Sequence, residues 1–154
     1  TEPVPEFARF LYLAVGGEWY WTDRLPWSRA DWVAHLARTD IETWVAYVGG
    51  APCGYFELAH EPGPDVQLQY FGLFRDFFGR GIGGPLLTAA LERAWSSGPR
   101  RVWVHTCTLD HASALPNYES RGFRVYNRES IRQTVTDEPP SYWPRSTATE
   151  DTLA

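Results

Sequence analysis

Four glycines stand in the six residues Gly79-Arg80-Gly81-Ile82-Gly83-Gly84, just ahead of Pro85 and an apolar run at helical spacing. A strand, a glycine turn and a helix start aim several free backbone N–H groups at one point, at the positive end of the helix dipole. A pyrophosphate suits such a place, because without Cβ atoms it can approach the backbone closely. Arg80 would add charge. A tight turn that binds nothing is the plainer use of the same glycines. Gly79, Gly81 and Gly84 also fit the dinucleotide fingerprint G-x-G-x-x-G. That fingerprint needs a buried first strand and an acidic residue about 20 positions on. Here the strand alternates with Gln67 and Gln69, and the later position falls near Trp103-Val104-His105, with no carboxylate.

Acid–base chemistry has few carriers. Imidazole is the side chain that titrates nearest neutral pH. His105 alternates with Val104 and shares a strand face with Trp103 and Cys107. Glu57 is the competing base and needs burial to raise its pKa. His60 and His111 are further imidazoles. A purely structural role stays open for each. All 14 basic residues are Arg, so Schiff-base and P-loop chemistry, which require a lysine, are excluded. The formal charge of −5 offers nucleic acid no attracting field. No apolar run approaches the roughly 18 residues of a membrane span. No metal-ligand spacing of Cys or His occurs. Cys53 and Cys107 lie in apolar, strand-like runs and are expected as two buried, reduced thiols. No charged-then-apolar leader opens the chain, which points to the cytoplasm.

These residues need a scaffold, and 154 residues make one domain. The sequence predicts a helix over Pro5 to Val15 ended by Gly16-Gly17, then a loop rich in aromatics (Trp19, Tyr20, Trp21, Trp27). Ser28 N-caps a second helix carrying Trp32, with Asp31 in its first turn. Strands Ile41 to Val48 and Pro52 to Ala59 flank Gly49-Gly50, a hairpin turn. A third strand covers Val66 to Phe74. After the glycine loop come a helix to Gly98, a strand Arg101 to Thr108 and a late-starting helix within Ala112 to Arg121 that contains Pro116. Phe123 to Tyr126 and Ser130 to Val135 are expected as two closing strands. Residues 1–136 form the domain, and the Pro/Ser/Thr-rich residues 137–154 form a surface tail in which Tyr142-Trp143 docks. The fold class is α/β, in the α+β sense of a mixed sheet covered by helices.

The stretch Phe71 to Gly83 and the helix after it resemble the acetyl-CoA loop of the GNAT superfamily of N-acetyltransferases, whose pattern is Gln/Arg-x-x-Gly-x-Gly/Ala. Gly81 and Gly83 match, and Phe78 takes the Gln/Arg place. A second signature, A-x-x-x-Y-E-x-x-G-F, matches at Ala114, Tyr118-Glu119 and Gly122-Phe123, with His111 where the family usually has Asn. The two motifs stand in the family's order, and the resemblance spans roughly Ala30 to Val135. The family usually opens with a strand before its first helix; none is read here, which suggests a trimmed or divergent start.

The resemblance implies a central, mostly antiparallel sheet splayed between two parallel strands, with about four helices. It implies direct transfer of an acetyl group from acetyl-CoA to an amine of a small molecule or peptide, without a metal. Amides from Gly79 to Gly84 would hold the pyrophosphate, and the backbone of Phe71, Gly72 and Leu73 would orient the thioester. Tyr118 would protonate the leaving thiolate. Gln67 stands where some members carry a glutamate base, so the base is His105, Glu57 or a water chain. The aromatic loop lies where the family builds its acceptor pocket, though core packing or a homodimer interface are equal uses for it. A module that binds acyl-CoA without turnover is the competing class, favoured by Gln67.

Overall fold

The computed structural model describes residues 2–132, 134–140 and 142–143. Helix α1 (Pro5–Gly16) and helix α2 (Arg29–Leu36) precede strands β1 (Ile41–Val48), β2 (Ala51–His60) and β3 (Asp65–Leu73). Helix α3 (Gly83–Ser96), strand β4 (Arg101–Val104) and helix α4 (Ala114–Glu119) follow. The strands form one sheet in the order β1-β2-β3-β4. The first two pairings are antiparallel and β3 with β4 is parallel. The expected mixed sheet with helices is therefore observed.

Local rules explain most of these elements. Gly49 and Gly50 both have positive φ, 59° and 82°, as a two-residue primed hairpin turn requires. Ser28 accepts from the Asp31 amide while Asp31 bonds back to the Ser28 amide, a reciprocal cap on α2. Helix α4 starts at Ala114, so Pro116 falls in its first turn, where a missing N–H costs nothing. Helix α1 ends at Gly16 with Gly17 as its C-cap, as expected, though without a left-handed glycine. Gly17 keeps a right-handed helical conformation, and the chain instead turns at Tyr20, with φ 57°. The Trp21 ring fills the space a Cβ on Gly16 would need, so that glycine serves close packing.

The sheet is a middle layer. Phe56, Leu58, Val66 and Leu68 face α3, packing on Leu86, Leu87, Ala90 and Ala94. Tyr55 and Tyr70 face α1 and α2, packing with Leu11, Tyr12, Val15 and Trp32. Full burial of an aliphatic side chain such as Leu58 or Leu87 contributes roughly 1.5–3 kcal/mol.

One irregularity in β3 shapes the molecule. Glu57 pairs with Tyr70 and Leu58 with Leu68, which leaves Gln69 as an extra residue. The bulge shifts the side-chain phase. Leu68 and Phe71 therefore pack on the α3 side, while Tyr70 turns to the α1 side. The parallel pairing with β4 runs only from Asp65–Arg101 to Leu68–Val104. From Gln69 to Leu73 the edge of β3 that faced β4 has no strand partner among the described residues. The two strands splay apart there.

Two expectations about the later chain fail. β4 ends at Val104, not Thr108, because the splay removes its neighbour. Among the described residues no strand follows α4. Phe123 packs on the core, but Val125, Tyr126, Ile131 and Val135 are exposed. Alternating apolar residues make a strand only where an edge pairs with them. Tyr142 sets its ring edge against Phe10 of α1, 5.5 Å between centroids, while Trp143 is exposed. The rest of the stretch expected as a tail, residues 144–154, lies outside the described residues.

Candidate active site

The splay opens a cavity of about 880 Å³. Phe71, Gly72 and Leu73 line one wall, the glycine loop and α3 start another, and Tyr118 a third. His105 lies on its β4 side, one residue past the strand, and is exposed.

The glycine loop makes an anion cradle. Gly79 and Gly81 have φ of 70° and 74°, the left-handed region that only glycine adopts cheaply. A Cβ at either position would meet nothing within 4 Å, so the space over the loop is open. Ile82 provides no side-chain cap for α3, and no acidic residue stands in the helix's first turn. The first amides of α3 are thus left for an external acceptor of hydrogen bonds. The cavity is lined by Gly79, Gly81, Ile82, Gly83 and Gly84. Arg80 is not on its wall; it is exposed, with its guanidinium 4.8 Å from the Phe77 ring centroid.

Tyr118 is 6% exposed, held between Phe71 and Phe123 at 6.1 and 5.6 Å between ring centroids. Burial, assisted by the negative charge of Asp110, pushes its phenol well above the ordinary tyrosine range. The hydroxyl therefore stays protonated at neutral pH and is a proton donor, not a base.

Glu57 is placed differently from expectation. Its side chain is 3% exposed, and it does not line the cavity. Arg24 grips both carboxylate oxygens, at 2.5 and 3.1 Å, and His35 Nε2 lies 3.1 Å from Oε2. Burial pushes the Glu57 carboxyl up, but the hydrogen bonds from His35 and Arg24 outweigh it and hold it below its ordinary value. A carboxylate so paired is a poor proton acceptor. Glu57 anchors the α1–α2 loop instead.

The aromatic loop divides. Trp19, Tyr20 and Trp21 line the cavity. Trp27 and Trp32 surround Arg24, whose guanidinium lies 4.7 and 5.7 Å from their rings and 4.4 Å from Tyr70. Trp19, Phe78 and His111 meet edge to face and stacked, 5.3 to 6.4 Å apart, so Phe78 at the usual Gln/Arg place serves an aromatic contact across the cavity. The thiols also differ: Cys53 is buried, but Cys107 is exposed and lies on the cavity wall beyond the end of β4.

One site residue is invisible in the sequence. Asp23 lines the cavity, and its carboxylate accepts from Tyr12 at 2.7 Å and from Tyr70. Those partners are 11 and 47 residues away, so no local motif signals it.

The comparisons with known proteins agree with this geometry. The sequence model of the acetyltransferase (GNAT) family matches residues 7–123. A mycothiol acetyltransferase of Corynebacterium aurimucosum is 43% identical over 65 residues, 42% of this chain; the match spans only 21% of that relative's length. Among solved structures, an aminoglycoside N-acetyltransferase, AAC(6')-Iy, in complex with a bisubstrate analogue superposes with a TM-score of 0.63 at 18% identity, covering 86% of this chain and 92% of that one. The PaiA N-acetyltransferase of Thermoplasma acidophilum, in complex with coenzyme A, gives 0.64 at 17% identity, over 83% and 91%. Those two structures share the fold. The family match covers both the glycine loop and the Tyr118 helix, and by it this chain belongs to the GNAT family of acetyltransferases.

Proposed function

We propose that the protein transfers an acetyl group from acetyl-CoA directly to an amine of a small molecule or peptide. The reading rests on one juxtaposition: the unpaired edge of β3, the uncapped start of α3 and the protonated Tyr118 share one cavity. The amides of Gly81 to Gly84 hold the CoA pyrophosphate, since Pro85 offers none. The β3 edge at Phe71 to Leu73 orients the thioester and stabilises its carbonyl as charge develops on oxygen. The amine nitrogen forms the new C–N bond as the C–S bond breaks. Tyr118 gives its proton to the departing sulfur, and His105 takes the proton the amine loses, directly or through water. Residues 1–136 carry these parts as one domain. The relatives named mycothiol acetyltransferase and aminoglycoside N-acetyltransferase support the same reaction class here.

The test is release of free thiol from acetyl-CoA with a panel of amines, alongside CoA affinity by calorimetry. Acetylated amine identified by mass spectrometry, with His105→Gln slowing its formation about 10²-fold, is the expected result. A chain that binds CoA yet acetylates no amine is a sensor. Gln67 on the cavity wall, in place of a carboxylate, favours that second reading.

A further inference from the structure

The cavity is lined from both sides of the sheet. The glycine loop and Tyr118 lie on the α3 and α4 side of the sheet. Tyr70, turned by the Gln69 bulge, belongs to the α1 and α2 side and carries Asp23 with it. Asp23 and Arg24 are neighbours in sequence but are pulled apart. Arg24 is 4% exposed and committed to Glu57, whereas Asp23 is exposed on the cavity wall.

Asp23 is held firmly. Tyr12 donates to Oδ1 and Tyr70 to Oδ2, and the Tyr12 hydroxyl in turn accepts from the Arg24 amide. Burial pushes both phenols far above their ordinary range, so both remain donors. Each carboxylate oxygen is left with room for one more donor. The two tyrosines are neutral and bring no positive charge. Among the described residues that line the cavity, the acidic ones are Asp23 and Asp110, and none is an arginine. The Asp110 carboxylate accepts the Thr106 hydroxyl and the Cys107 amide on Oδ2, which ties it to the loop after β4, on the Tyr118 side of the cavity. Trp21 and Tyr70, 4.7 Å apart, add ring faces beside Asp23. A fixed, unneutralised carboxylate flanked by aromatic rings is a receptor for an ammonium group.

We infer that Asp23 docks a second positive charge of the acceptor, so that the substrate is a diamine or polyamine whose remote ammonium sits on Asp23 while another amine meets the thioester. This assignment rests on the acetyl-transfer reading for its second nitrogen, but the cation site stands on its own geometry. Asp23 lies on the opposite side of the sheet from Tyr118, so it holds the charge that does not react.

The probes are 1,5-diaminopentane and pentylamine, which differ by a terminal ammonium. Calorimetry on the CoA-loaded protein is expected to show the diamine binding at least about tenfold more tightly than the monoamine, because only the diamine brings a second ammonium for a charge-assisted hydrogen bond to Asp23. Asp23→Asn should abolish that preference and leave CoA affinity unchanged. Asp23→Glu should restore part of it, which separates lost charge from lost folding. Equal binding of the two probes to the wild type, no binding of the diamine, or a preference that survives Asp23→Asn would each overturn the inference. Thiol release from acetyl-CoA with the same amines, measured in parallel, reports separately on the reaction. Diamine binding that depends on Asp23 without any thiol release would sink the acetyl-transfer reading and keep the cation site.

Discussion

Replacing Glu57 separates its two conceivable roles. As a catalytic base it would be dispensable for folding and essential for turnover. The structure makes it the reverse. Glu57→Ala leaves the Arg24 guanidinium buried among Tyr70, Trp27 and Trp32 with no counter-charge. Removing one partner of a buried ion pair costs about 3–5 kcal/mol. For a chain of this length about 1 kcal/mol moves Tm by roughly 2–4 °C, so the loss is roughly 6–20 °C. Glu57→Gln keeps the shape and an acceptor for Arg24, and His35 can change tautomer to meet the amide, so its cost is smaller, about 1.5–3 kcal/mol. Circular dichroism melts give both values. Acid sensitivity follows the same logic. The folded pKa of Glu57 is depressed from an ordinary 4.5, so its stabilising effect is complete above that value and fades as pH falls through the folded pKa. Glu42 acts in the same direction. Burial alone would raise its pKa, but Arg93, Trp44 and His60 bring it to about 2. Wild-type stability should therefore drop from about pH 4.5 towards pH 2, and Glu57→Gln should drop less steeply. Turnover per folded molecule, measured well below Tm, should keep its pH profile in Glu57→Gln. A variant that melts like wild type but loses turnover together with the acidic limb of its profile would refute this reasoning and return Glu57 to the role of base.

Two further outcomes test the remaining parts. Tyr118→Phe removes only the hydroxyl, so kcat should fall at least about tenfold while calorimetric CoA affinity holds, since general acids contribute about 10²–10⁴-fold; a full-rate variant would reduce Tyr118 to packing between Phe71 and Phe123. Gly81→Ala meets no neighbour but must hold φ 74°, at a cost of about 1–2 kcal/mol in the loop; CoA affinity should fall about tenfold with little change in Tm, and an unchanged affinity would remove the loop from the CoA site.

What the sequence determined by itself are the features set by short-range rules alone. Glycine pairs mark the hairpin and the cradle, Ser28 with Asp31 marks the start of α2, and period-3.6 residues mark α3. The two motifs, each a few residues long, carried the family. Tertiary structure decided whatever depends on a partner far along the chain. Glu57 stands among the candidate bases until Arg24 and His35, 33 and 22 residues away, close on it. Asp23 reads as a loop residue until Tyr12 and Tyr70 present it to the cavity. Tyr70 would share a face with Leu68 in a regular strand; the Gln69 bulge, visible only in the β2–β3 register, turns it to the other side. The alternation after Gly122 shows the converse failure: a strand exists only where another edge pairs with it, and no local pattern of side chains supplies that edge.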